Sequence, residues 1–272
     1  MPTPRRLPQR LALLALTLLL VLAGLPSTSS AEPAAAIQKD PRFGAVQAIN
    51  APVAAEQAGV AWERIIFPWA EIQPNGPEQL LQGYYPEAQI DGQVRRGVEL
   101  VGVVLYTPAW AATDPSKGGR AVPKGLDRPI TDPSNPWAHF MGKLAQKYRG
   151  RINTWIIWNE PDLIDKDSKV GWSWAGSVED FWKLQRSGYQ AVKRANPEAK
   201  ILTSGYSFWH AKEAGLEPFL KRLLDVGAKD STAPKNDWYF DGVPVHPYAN
   251  PLNSYAKPEI CLLYTSPSPR DS

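Results

Sequence analysis

Six apolar runs punctuate this chain, at residues 43–50, 61–69, 98–105, 153–158, 199–205 and 240–248. They are rich in β-branched and aromatic residues, the composition of strands buried on both faces. Stretches with helical spacing lie between them. A short Ala-rich helix is predicted to end at Gly59, and a helix over 85–96 carries Ile90 and Val94 four apart. Trp137, Phe140, Met141, Leu144 and Tyr148 form one apolar stripe, opened by Ser134-Asn135-Pro136 and closed by Gly150. Pro at an early helical position sacrifices no hydrogen bond, and Gly ends helices by taking the left-handed conformation. Phe181, Leu184, Gly188 and Val192 mark another buried face, behind a capping box of Ser177 and Asp180. A last helix over 216–226 is closed by Gly227. Strands that alternate with helices in this way predict a parallel α/β architecture. The Gly/Pro/Asp-rich stretch 113–132 reads as one long loop, a type often functional.

One strand ends in chemistry. The run Asn153-Thr154-Trp155-Ile156-Ile157-Trp158 stops at Asn159-Glu160, and Pro161 has no N–H to continue a ladder. A carboxyl and a carboxamide therefore stand at the C-terminal end of a buried strand, the end that carries catalysis in a (β/α)8 barrel. Desolvation there raises a carboxyl pKa and suits it to acid catalysis. Read from these residues alone, Glu160 capping a loop or pairing with a surface Arg stays open.

Trp158-Asn159-Glu160-Pro161 resembles the strand-4 signature of clan A glycoside hydrolases, retaining glycosidases with a TIM-barrel fold. With Tyr148-Arg149-Gly150-Arg151 before it and Asp162 after it, the context is similar to family 39 β-xylosidases and their relatives. The resemblance covers about residues 42–260. It implies a (β/α)8 barrel, here expected to be truncated after about strand 6, with the C-terminal part missing. It makes Glu160 the acid/base and Asn159 the partner of the substrate 2-OH. Arg64 matches an Arg near the end of strand 2 that contacts the nucleophile; a core-edge Arg paired with a carboxylate is the alternative. Trp110 matches a subsite aromatic, with packing in the barrel mouth as the other reading. Asp241-Gly242-Val243-Pro244-Val245-His246-Pro247-Tyr248 is similar to the sixth strand, so that His246 and Tyr248 line the site. The implied nucleophile belongs to a seventh strand, and Glu259 is too near the break to take the role. Trp172 and Trp174, in the loop after the fourth strand, are candidate sugar platforms. His210 reads as a plain loop residue.

Composition changes this picture little. Of 272 residues, 43% are hydrophobic and 21% charged, enough for one large domain. The formal net charge of +3 is matched by Arg5, Arg6 and Arg10 alone, so the basic balance gives no support for nucleic acid binding. Those arginines precede an apolar run at 11–25 and small residues at Ser29-Ser30-Ala31. Residues 1–31 thus read as a secretory signal peptide, 32–41 as a linker and 42–260 as the catalytic domain. The apolar run is short for a membrane span of about 20 residues, so no stable membrane insertion is expected after cleavage. Residues 261–272, with the single cysteine Cys261, resemble a translated sequencing adapter and are expected not to be native. No Gly-rich phosphate loop or metal-ligand spacing appears, so neither cofactor nor metal is expected. The expected partner is a carbohydrate, cleaved at its O-glycosidic bonds. A non-catalytic carbohydrate-binding barrel is the alternative.

Overall fold

The computed structural model describes residues 38–78, 84–165, 167–168, 170–207 and 209–246. The expected signal peptide, the adapter-like tail and Tyr248 lie outside the described residues, as does all but the end of the expected linker. Five parallel strands form one sheet: β1 (Asp40–Val46), β2 (Val60–Pro68), β3 (Glu99–Leu105), β4 (Ile152–Ile157) and β5 (Lys200–Leu202). Their order in space is their order in sequence. Parallel bridges Leu202↔Gly242 and Tyr206↔Val245 lay the next segment against β5, in a sixth position. Each strand is added beside the one before it without reversal, the winding of a (β/α)8 barrel rather than of a doubly wound sheet. The fold class is α/β, with TIM-barrel winding over the described residues.

Six helices connect the strands: α1 (Pro52–Gln57), α2 (Glu87–Arg95), α3 (Pro136–Lys147), α4 (Val178–Ala195), α5 (Trp209–Glu213) and α6 (Phe219–Gly227). Local chemistry opens α3 and α4 as the sequence predicts, whereas α6 runs from Phe219 through Gly227 instead of stopping before it. Asn135 Oδ1 accepts the Ala138 N–H before α3, and the Ser177–Asp180 capping box opens α4 with both reciprocal bonds made. The whole α3 stripe is buried against the sheet and α4. Trp137 donates from its indole N–H to Leu184 O at 3.0 Å. A Cβ at Gly188 would come within 2.7 Å of Ile157 Cδ1, so a side chain there would make Ile157 shift its end as α4 packs on β4. Gly102 in β3 does the same for the Trp155 ring, its register neighbour in β4. Burying each large apolar side chain is worth roughly 1.5–3 kcal/mol.

Some boundaries differ from the sequence reading. β1 starts at Asp40, inside the expected linker, and stops at Val46 because Gln47 turns left-handed (φ 52). Residues 48–50 are a 3-10 turn instead of strand. β5 has three residues rather than seven, because 203–205 leave the ladder to build the site below. Residues 69–72 form a helical turn, and α5 carries too few apolar residues to be legible as a helix. Among the described residues no helix is long and apolar enough to cross a membrane.

Glu63, in β2, is fully buried. Its carboxyl accepts the Ile49 N–H at 2.6 Å and the Gln93 side-chain amide at 2.5 Å, tying β2 to the 48–50 turn and to α2. Burial pushes its pKa up, against the lowering effect of these two donors. The folded protein therefore holds this proton more tightly than the unfolded chain. The stability that this contributes is complete below the unfolded value, near about 4.3, and is lost as pH rises through the folded one. Glu63→Gln keeps the shape without the charge, so denaturant melts from pH 4 to pH 7 should show the variant gaining on the parent as pH rises. A constant difference across that range would mean that the Glu63 charge costs the fold nothing.

Candidate active site

The site grows from the end of β4. Trp158 and Glu160 both have left-handed backbones, at φ 69 and 47. A non-glycine residue held there costs of order 1–3 kcal/mol. Neighbouring bonds hold the turn. Trp158 N–H donates to Val104 O at 2.8 Å, and Glu160 N–H donates to Gly205 O at 3.0 Å. Ser173 Oγ donates to Asn159 O at 2.6 Å, and the Trp158 indole N–H donates to Ser173 O at 3.1 Å. The Trp158 ring is fully buried, with Trp174 edge-on at 5.0 Å and Tyr106 at 6.4 Å. Asp162 Oδ2 accepts the Ser207 N–H at 2.8 Å and its hydroxyl at 3.0 Å, tying this loop to the one after β5.

A polar chain crosses the mouth of the sheet. An Arg64 guanidinium N–H donates to Asn159 Oδ1. The Asn159 amide donates to Glu160 Oε2 at 3.3 Å, and Glu160 Oε1 lies 2.7 Å from His246 Nδ1. Glu160 is buried, at 9% exposed. The contact to His246 works in two ways: Nδ1–H donates to a carboxylate, or a protonated carboxyl donates to a neutral Nδ1. It is a short path for a proton between an acid and an imidazole. His246 is seated by its own N–H on Tyr206 O at 3.0 Å, and its ring lies over Gly205, where any Cβ would overlap it.

The structure thus brings Arg64, Asn159, Glu160 and His246 together. Trp172 is 57% exposed on the loop after β4, with the His210 ring against it at 5.4 Å. Trp110 is half-buried, its indole N–H on Gln73 O at 2.7 Å and its ring edge-on to Trp69 at 5.8 Å. Trp174 corrects the sequence reading. It is 2% exposed, its N–H is bound to Ser177 O, and Phe181 and Trp158 meet its ring edge-on. It packs the loop and is almost wholly buried, instead of standing out as a platform. Ser173 and Gly205 were missed: a loop serine and a strand-end glycine carry no sequence signal of their own. Among the described residues no group of three or more His, Cys, Asp or Glu is placed to hold a metal ion.

The seat of His246 is testable. Gly205→Ala should push the imidazole away from Glu160 while leaving the sheet intact. The expected readout is a changed His246 Nδ1 resonance in nitrogen-detected NMR, with little change in the far-UV spectrum. An unmoved resonance would mean that the loop yields instead of the ring.

No family model and no curated protein matches the chain. Solved structures similar to it include a family 39 glycoside hydrolase from the gut symbiont Bacteroides cellulosilyticus WH2, at TM-score 0.46 and 20% identity over 71% of this chain and 34% of that one. They include the catalytic domain of GH30 xylanase C from Talaromyces cellulolyticus, at TM-score 0.48 and 15% identity over 76% and 53%. A β-glucosidase from Thermotoga maritima in complex with cyclophellitol follows at TM-score 0.44 and 18% identity over 59% and 39%. The chain spans about a third to a half of the length of these proteins.

Proposed function

We propose that this chain carries the acid/base half of a retaining glycoside hydrolase that cleaves O-glycosidic bonds of a poly- or oligosaccharide. The observation that supports this most is the seat of Glu160. A carboxyl is held at the C-terminal end of a buried strand, 9% exposed, between a carboxamide and an imidazole. A carboxyl so desolvated is suited to keep its proton until a leaving oxygen takes it.

The steps follow from the two roles of one group. In the first half-reaction Glu160 donates its proton to the glycosidic oxygen as a second carboxylate attacks the anomeric carbon. In the second half, the Glu160 carboxylate takes a proton from water as the water oxygen bonds to the anomeric carbon and the bond from that carbon to the second carboxylate breaks. The two carboxyl groups of such a pair stand about 5–5.5 Å apart. We assign the nucleophile to none of the described residues. Asn159, held by Arg64, is positioned beside the acid to meet a substrate hydroxyl. His246 holds the Glu160 carboxyl through its Nδ1. Trp172 offers an exposed ring for stacking. Export through residues 1–31 is part of the proposal, supported by the Arg-then-apolar pattern of that segment. A carbohydrate-binding barrel without catalysis would have no use for a desolvated carboxyl beside an imidazole.

In the enzyme that carries this chain, Glu160→Gln should lower turnover by about 10²–10⁴-fold on glycosides with poor leaving groups. The loss should be much smaller in the glycosylation step of activated aryl glycosides, whose leaving groups need little protonation. Azide should restore turnover of the activated substrates, because an anion replaces base-activated water at the intermediate. Equal losses on both substrate classes without azide rescue would remove Glu160 from the acid/base role.

A further inference from the structure

Beside Glu160 lies a cleft that the catalytic reading does not use. Its volume is about 330 Å³, within the range of small-molecule sites. Pro161, the residue after Glu160, forms part of its wall. The remaining wall comes from three neighbouring connections: the loop after β3, the loop after β4, and the segment from Leu216 into α6. All three follow the C-terminal ends of strands, the side on which a barrel binds its substrates.

The lining is cationic and holds no carboxylate. Lys117, Arg120 and Arg222 reach it from two of the three connections. Arg120 donates to two carbonyls, Gly171 O at 2.7 Å and Lys117 O at 3.2 Å, which orient the guanidinium without cancelling its charge. Arg222 lies 5.3 Å from the centroid of the Phe219 ring, and its buried Nε makes no hydrogen bond. Among the described residues Arg222 has no ion pair, although acids flank it in sequence. Glu217 and Asp225 both turn to Lys221, at 3.9 and 3.0 Å. Asp165 accepts from Asp167 N–H and from Ser168, and Asp114 accepts from Ser116. The acids flanking Arg222 are thus engaged elsewhere, while the exposed Asp114 attracts Lys117. Cations left together in a concave wall concentrate a positive field, and guanidinium groups match the paired oxygens of a carboxylate or sulfate. Ile164, Leu216 and Phe219 add apolar surface against which the C–H face of a sugar ring can lie.

We propose that this cleft is an accessory subsite for an anionic sugar unit, bearing a carboxylate or a sulfate ester. On the glycosidase reading above, the substrate is therefore an acidic saccharide. A neutral glycan would leave the guanidinium groups desolvated with nothing to answer them. A bare anion would leave the apolar wall unused.

Calorimetric titration of the 272-residue chain tests this without requiring turnover. The probes are glucuronate, glucose 6-sulfate, glucose and inorganic sulfate. Either anionic sugar should bind at least 10-fold more tightly than glucose and than inorganic sulfate, and more weakly as salt rises from 20 to 200 mM. The tighter of the two identifies the substituent. Arg222→Gln should weaken that binding about 10-fold, with Arg222→Lys recovering part of it. Lys117→Gln, on an exposed side chain, gives a second reading should Arg222→Gln shift the melting curve. Glucose binding as tightly as both anionic sugars would overturn the proposal. So would inorganic sulfate matching them, or binding indifferent to Arg222→Gln and Lys117→Gln. The two readings fail separately. Anionic sugars that bind to a chain whose Glu160→Gln variant leaves the enzyme's turnover unchanged would keep the subsite and remove the acid/base. The opposite pattern would keep the acid/base and remove the subsite.

Discussion

Glu160 stands where it does because the chain turns through the left-handed region at the end of β4. Two such residues, Trp158 and Glu160, cost together about 2–6 kcal/mol. Burial of the Trp158 ring offsets that, at roughly 4–6 kcal/mol for an aromatic of this size. Hydrogen bonds to Val104, Gly205 and Ser173 pin the turn from three directions. The rest of the site hangs on this turn. Asn159 is aimed at Arg64 and Glu160 at His246 only because the backbone between Trp158 and Pro161 is fixed. A relaxed, extended path here would carry the carboxyl to another face of the sheet.

The architecture was legible where one side-chain period dominates. The stripe from Trp137 to Tyr148 reads as a helix because one face of it is apolar throughout, and the Ser177–Asp180 pair announces its helix by chemistry that needs nothing distant. The place of Glu160 at a strand end was legible because the apolar run stops at Asn159-Glu160, whereas the role expected of it came from the resemblance alone. What failed to show in the sequence depends on contacts across the fold. Nothing near Gly205 says that an imidazole 41 positions on will lie over it. Nothing near Ser173 says that its hydroxyl will pin Asn159 O. Trp174 was misread for the same reason. Its exposure is decided by Phe181 and Trp158, and the loop that bears it says only that aromatics are there. β5 was read too long because Thr203-Ser204-Gly205 directly continue the apolar Ile201-Leu202, whereas their hydrogen bonds go to the loop and to the sixth position.

The polar groups of the mouth and those beneath the sheet obey different rules. Glu63 is buried with donors on both oxygens and serves as a fixed link between β2, α2 and the turn after β1. Glu160 also has donors, and one of its partners is an imidazole at the mouth of the sheet. The first arrangement ties elements of the fold together, the second joins the ends of β4 and of the sixth position.

The contact between Glu160 and His246 spans 86 residues of chain. Closing a loop of that length costs about 4 kcal/mol in chain entropy, by the logarithmic scaling of loop closure. That cost is met only when the strands between have stacked, since each strand docks on the one before it. A partly assembled sheet therefore holds a Glu160 without its His246 contact. The pair exists only once the sixth position has been laid against β5. The polar chain of this site is in that sense a property of the finished sheet, absent from every fragment of it that ends before His246.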